Sequence, residues 1–134
     1  MKAQYFDLKN KRVFVSGGAS GIGSSIVEHF CEQGSEVYFV DINTKLAQKT
    51  INKIKKKKLK NPIFIECNVK NIKKYRSLII NIIKTKGPID ILVNNASNDQ
   101  RHSLEQITEK YWDDRIAINL NPDLCAIQAV TKGL

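Results

Sequence analysis

The sequence predicts an α/β fold, a doubly wound parallel sheet of about four strands in the order 3-2-1-4 with helices on both faces. Three observations predict it. Short apolar runs alternate with amphipathic stretches of helical period along the chain, and such alternation implies right-handed crossovers and parallel pairing. The first strand runs directly into Val13-Phe-Val-Ser-Gly-Gly-Ala-Ser-Gly-Ile-Gly23, a glycine-rich turn that opens a helix. An acid, Asp41, closes the second strand about 20 residues beyond those glycines. With 134 residues the chain has the length for one domain with a sizeable core and is too short for two ordinary ones.

Taken in order, Tyr5 to Lys11 is a polar lead-in and Arg12 to Ser16 the first strand, whose consecutive Val13, Phe14 and Val15 suit burial on both faces. A helix from about Gly21 to Gln33 presents Ile22, Ile26, Val27 and Phe30 to the sheet, and Gly34 stops it. Glu36 to Val40 is the second strand, ending at Asp41. Thr44 to Lys58 reads as a helix with Leu46, Ala47, Ile51 and Ile54 inward, and Asn61-Pro62 breaks the chain before a strand from Ile63 to Cys67. The helix from Asn71 to Lys86 buries Ile72, Tyr75, Ile79, Ile82 and Ile83; Gly87-Pro88 ends it, and Ile89 to Val93 is the fourth strand. A last helix, from about Glu109 to Lys132, turns Trp112, Ile116, Leu120, Leu124 and Ile127 inward. Pro122 distorts it, because proline cannot donate to the carbonyl of Ile118.

Composition narrows the function classes. The formal charge is +9, but much of it sits between Lys53 and Lys60 at the end of a helix, where cations complement the dipole. No aromatic residues interleave there to stack bases, so a nucleic-acid partner is disfavoured. Cys31, Cys67 and Cys125 have neither CxxC pairing nor metal-ligand spacing, and reduced buried thiols are expected, with no metal site. No apolar run reaches the length of a membrane span and Met1 to Leu8 has no signal-peptide apolar region, so no membrane partner and a cytoplasmic location are expected.

In a sheet of this kind ligands bind at the carboxyl ends of the strands. Those ends are Ser16, Asp41, Cys67 to Val69 and Asn94 to Ser97. Gly17, Gly21 and Gly23 allow the chain to turn sharply, admit a phosphate against the backbone and start a helix close to the sheet. The helix amino terminus offers unpaired N–H groups to a pyrophosphate. An ordinary tight turn is the plainer alternative. Asp41 is placed to accept hydrogen bonds from an adenosine ribose and to repel a 2′-phosphate, which favours NAD over NADP. It could instead cap the following helix, as could Asn43 or Thr44.

These residues resemble the short-chain dehydrogenase/reductase family, of Rossmann type. Its TGxxxGxG pattern is matched from Ser16 to Gly23 with Ser for Thr, its NNAG by Asn94-Asn95-Ala96-Ser97, and its helix asparagine by Asn119. The resemblance implies that Ser16, Gly17, Ser20, Gly21, Ile22 and Gly23 lie along the pyrophosphate, Asp41 and Ile42 at the ribose, and Asn68 and Val69 at the adenine. The family has Asp-Val there; this chain has Asn68-Val69. Asn95, Ala96 and Ser97 would lie near the cofactor, with Asn94 bracing loop backbone. At Asn119, the catalytic residue the resemblance supplies, the family has an irregular turn whose backbone carbonyl holds a water in a proton relay. The segment Ser97 to His102 is similar to a loop in galactose- and fucose-type sugar 1-dehydrogenases.

The resemblance implies NAD-dependent oxidation of an alcohol, a sugar among the candidates, or reduction of a carbonyl. The family's catalytic Ser and Tyr-x-x-x-Lys fall downstream of the Asn helix, so residues 1–134 are expected to be the cofactor-binding half. Tyr5 and Lys9 match that spacing by chance, and Tyr111 is followed by Arg115 rather than Lys. The alternative is a catalytically inactive NAD-binding fragment or a sensing or interaction module. An open edge on the fourth strand and the family's use of the Asn119 helix in assembly predict an unstable monomer that associates with itself or with another chain.

Overall fold

The computed structural model describes residues 3–132. Four parallel strands, β1 (Arg12–Ser16), β2 (Glu36–Asp41), β3 (Ile63–Glu66) and β4 (Ile91–Val93), form one sheet in the order β3-β2-β1-β4. The register sets Val13 between Val37 and Ile91, Ser16 beside Val40, and Asp41 beside Glu66, so the carboxyl ends of the strands finish near one another.

Side chains alternate across a strand, and this divides the core in two. Val13, Val15, Val37 and Phe39 face α1 (Gly21–Glu32) and α2 (Thr44–Lys56), where they meet Val27, Cys31, Ala47 and Ile54. Phe14, Tyr38 and Val40 face the other way, towards Tyr75, Ile79 and Ile82 of α3 (Ile72–Lys86) and the carboxyl-terminal helix. The sheet is therefore covered on both faces, as its run of consecutive apolar residues requires. Helix boundaries follow local chemistry. Asn43 caps α2 by accepting from Leu46 N–H at 3.0 Å, and Asn71 caps α3 through Lys74 N–H at 3.1 Å. Asp41 is thus not the cap of α2.

Two expectations about helix faces are overturned. The predicted last helix is two helices, α4 (Glu109–Asn119) and α5 (Asn121–Thr131), broken at Leu120, whose φ and ψ are −126° and −50°. Pro122 sits in the first turn of α5, where a missing N–H costs no intrahelical bond. The break resets the phase, and α5 packs on α3 through Pro122, Cys125, Ala126 and Ala129, small residues that permit close approach. Trp112, Leu120, Leu124 and Ile127, expected inside, are 50–60% exposed. Ile22, also expected on the sheet, is 76% exposed, whereas Gly23, Val27, Glu28 and Cys31 are the buried residues of α1.

The lysine run is partly consumed inside the fold. Glu28 of α1 is 6% exposed and is held by Lys53 at 2.6 Å and by Lys57, both on α2. Hydrogen bonds from Lys53 and Lys57 hold the Glu28 carboxyl below its usual value of 4.5 despite burial. A carboxyl with a depressed folded-state pKa adds stability that is complete above the ordinary value and is lost as pH falls through the folded one. Glu28→Gln is therefore expected to flatten the acid limb of stability as pH falls below about 5, read by urea midpoints; an unchanged slope would remove Glu28 as its source.

Cys31, Cys67 and Cys125 are free and buried, as expected, and burial pushes the Cys31 thiol up to about 12. Among the described residues no helix is long and apolar enough to cross a membrane, and no group of side chains could hold a metal ion.

Candidate cofactor cleft

A cleft of about 390 Å³ opens at the carboxyl ends of the strands. Its walls come from the segments after all four strands: Gly17, Ser20, Ile22 and Gly23; Val40, Asp41 and Ile42; Cys67, Asn68 and Val69; Asn95, Ala96 and Ser97. Ser16 and Gly21 do not line it; Ser16 lies buried beneath and Gly21 is exposed. Ile118 of α4 completes the wall, a residue that the sequence did not single out.

The glycine turn is anchored at both ends. The N–H groups of Gly17 and Gly18 donate to the carbonyl of Val40 at 2.8 and 3.2 Å, hooking the end of β1 onto β2. Ala19 is held on both sides: its N–H donates to Asp41 Oδ2 at 3.0 Å and its carbonyl accepts from Thr50 Oγ1 at 2.9 Å. The second oxygen of Asp41 accepts from Asn43 N–H at 2.9 Å. Each carboxylate oxygen retains acceptor capacity, so Asp41 fastens the turn and still presents charge to the cleft. Thr50 was missed in the sequence, where the only signal was a hydroxyl on the inward stripe of α2.

Beyond the turn, α1 starts with no side-chain cap: Ser20 occupies the N-cap position, its carbonyl accepts from Ser24 N–H at 3.2 Å, and its side chain accepts nothing from the helix. The N–H groups that open the helix are left for a ligand, and Gly23 packs so closely on the Gly17 carbonyl and the Asn95 amide that a Cβ there would collide with both. An anionic, pyrophosphate-bearing cofactor fits this arrangement.

On the β4 side, Ser16 Oγ accepts from the N–H groups of Asn95 and Ala96 at 3.0 and 3.1 Å. The Asn95 amide returns two bonds, donating to the carbonyls of Ser16 at 3.1 Å and Gly17 at 2.9 Å. The bracing asparagine is therefore Asn95, not Asn94, whose side chain is exposed. Asn68 is also exposed, and its Oδ1 accepts from Lys70 N–H at 3.0 Å, leaving one lone pair for a ligand. Asn119 does not line the cleft. Its side chain is paired twice with the Asn98 backbone, accepting from N–H at 2.8 Å and donating to C=O at 3.0 Å, at the point where α4 breaks. The Tyr5 to Lys9 segment, as expected, is remote: Asn10 N–H bonds the carbonyl of Gly34 at the amino end of the sheet.

Comparison with known proteins agrees with this architecture. The family model for short chain dehydrogenases matches residues 11–134. The chain is 38% identical over 132 residues to a D-xylose 1-dehydrogenase of Caulobacter vibrioides, covering 98% of this chain and 51% of that protein. It is 36% identical to a probable galactose dehydrogenase of Rhizobium meliloti, over 98% of this chain and 52% of that one. The chain thus spans about half the length of these curated relatives. A crystal structure of a short chain dehydrogenase from Burkholderia cenocepacia in complex with NADP superposes with a TM-score of 0.85 at 27% identity, over 95% of this chain and 52% of that one. Sequence match and sheet order agree along nearly the whole length, and the chain belongs to the short-chain dehydrogenase family, a family of nicotinamide-linked oxidoreductases.

Proposed function

We propose that this chain provides the NAD-binding part of an oxidoreductase that oxidises an alcohol carbon of a sugar or reduces the corresponding carbonyl. The observation that carries the reading is the convergence of four strand ends on one cleft, whose wall includes both the α1 terminus without a side-chain cap and the Asp41 carboxylate. When bound, the nicotinamide supplies the hydride acceptor or donor. The first-turn N–H groups of α1 bind the pyrophosphate, with Ser20, Ile22 and Gly23 shaping its channel. Asp41 accepts from the ribose hydroxyls, Ile42 packs beside it, and Asn68 and Val69 border the adenine. Ala96 and Ser97 border the nicotinamide end, and the backbone at Asn119 holds the relay water. The names of the Caulobacter and Rhizobium relatives support a sugar as substrate.

The reading is tested by titrating the chain with NADH and NADPH. NADH is expected to bind about tenfold or more tightly, since a 2′-phosphate would be brought against the Asp41 carboxylate. Asp41→Asn keeps an acceptor for Ala19 N–H and removes the charge, so it is expected to narrow that preference. Tighter binding of NADPH by the unaltered chain would overturn the assignment to NAD, and binding of neither would overturn the cofactor reading.

One observation favours a second reading, a cofactor-binding module without turnover of its own. Among the described residues lining the cleft there is no Tyr, Lys or His to pass a proton to a developing alkoxide. NAD reduction by the chain with D-xylose or D-galactose would exclude this second reading; NADH binding without turnover would favour it. Exposed Trp112, Leu124 and Ile127, and a β4 strand that among the described residues pairs only with β1, support self-association.

A further inference from the structure

The loop that leaves the cleft after Ser97 has no core of its own. Asp99 to His102 are exposed, and nothing in their sequence favours one conformation. Yet α4 grips this loop along a single stripe. Tyr111, Arg115 and Asn119 are spaced four residues apart and so lie above one another on the same helix face. The Tyr111 hydroxyl donates to the Gln100 carbonyl at 2.8 Å, and the His102 ring packs on the Tyr111 ring with centroids 4.2 Å apart. Arg115 Nη1 donates to the Asn98 carbonyl at 3.2 Å, beside the two bonds Asn98 makes with Asn119.

Arg115 connects the parts of this arrangement. Its guanidinium carbon lies 4.9 Å from the centre of the Tyr111 ring, within cation–π range, so it supports the ring that supports His102. Its Nη2 donates to Asp114 at 3.0 Å, and Asp114 is tied in turn to Lys70, just past Val69 of the cleft wall. Arg115 Nε is buried with no partner. An apolar side chain filling the same space would not carry that desolvation cost, so packing alone is a poor account of an arginine here.

We propose that Arg115 is a positioning residue, which with Tyr111 and Asn119 holds the Asn98 to His102 loop preformed as the outer wall of the cleft beyond Ser97. The wall's role beside a substrate rests on the cofactor reading above; its preformation does not. With the carbonyls of Asn98 and Gln100 turned to α4, the loop keeps its exposed Asp99 and Arg101 side chains for a polyhydroxylated ligand.

The test is amide hydrogen exchange on the whole chain, comparing Asn98 in the loop with Val15 in the middle of the sheet. In the unaltered protein the Asn98 amide is expected to be protected despite its place in a surface loop. Arg115→Ala is expected to speed its exchange on the order of tenfold while leaving Val15 unchanged, and Arg115→Lys, which still reaches the Asn98 carbonyl, to recover part of the protection. Tyr111→Phe keeps the ring and is expected to loosen the Gln100 end alone. Unchanged exchange at Asn98 in Arg115→Ala, or equal acceleration of Asn98 and Val15, would overturn the positioning role. Should Arg115→Ala fail to fold, Arg115→Lys decides by the comparison of Asn98 with Val15 and Tyr111→Phe by that of Gln100 with Val15. Failure of the unaltered chain to bind NADH would overturn the cofactor reading while leaving the exchange result intact.

Discussion

Gly23→Ala is expected to destabilise the chain by about 3 kcal/mol or more and to abolish cofactor binding. A Cβ at this position would lie 1.9 Å from the carbonyl oxygen of Gly17 and 2.6 Å from the Asn95 amide nitrogen. The first of these is backbone, so relief requires moving α1 away from the end of β1. That movement breaks the geometry by which the helix terminus faces the cleft, and binding is expected to fail even where the variant remains folded. Gly21 provides the control. Its φ is +54°, so alanine there carries left-handed strain of about 1–2 kcal/mol, but an added Cβ meets nothing within 4 Å. Urea unfolding of the two variants separates collision from strain, and a Gly23→Ala protein as stable as Gly21→Ala would refute the close-approach account.

Ser16→Ala carries the next largest effect. Ser16 is 2% exposed, and its oxygen is the acceptor for the N–H groups of Asn95 and Ala96, which tie the segment after β4 to the end of β1. Removing one oxygen orphans two donors, at a cost of roughly 2–4 kcal/mol in all. Since Ala96 and Asn95 line the cleft, NADH affinity is expected to fall as well. Ser16→Thr keeps the oxygen, adds a methyl group to a buried site, and is expected to be the more stable of the two variants. Equal stability of the alanine and threonine variants would show that these two bonds contribute little.

Much of this architecture was legible because it rests on local signals. Consecutive apolar residues marked the strands, Gly34 and Gly87-Pro88 marked helix ends, and strand–helix alternation left few sheet orders to choose among. The cleft was legible for the same reason, since ligand sites of doubly wound sheets lie at strand ends that can be counted along the chain. What could not be read depended on contacts between distant segments. The burial of α5 follows from its phase after the break at Leu120, and a periodicity drawn through Asn119 as one helix put Leu124 and Ile127 inside instead of Cys125 and Ala129. Asn94 and Asn95 are chemically identical neighbours; only the approach of β4 to β1 decides that Asn95 reaches the Ser16 and Gly17 carbonyls. Asp41 appeared as a choice between cap and ligand acceptor, whereas its carboxylate holds Ala19, a partner 22 residues away. The grip of α4 on the Asn98 loop lay hidden in a four-residue spacing whose meaning appears only when the loop is beside it.

The cleft at the carboxyl ends of the strands is proposed to hold the dinucleotide. The most direct measurement is an NADH titration of the isotopically labelled chain, followed residue by residue through its amide resonances. Saturable shifts are predicted at Gly17 to Gly23, Asp41 and Ile42, Asn68 and Val69, and Ala96 and Ser97. The apolar groove between Tyr5, Ile26 and Phe30, away from the strand ends, is predicted to stay unmoved. Saturation with NADH that leaves the glycine turn and Asp41 unshifted, or that shifts the groove in their place, would contradict the claim.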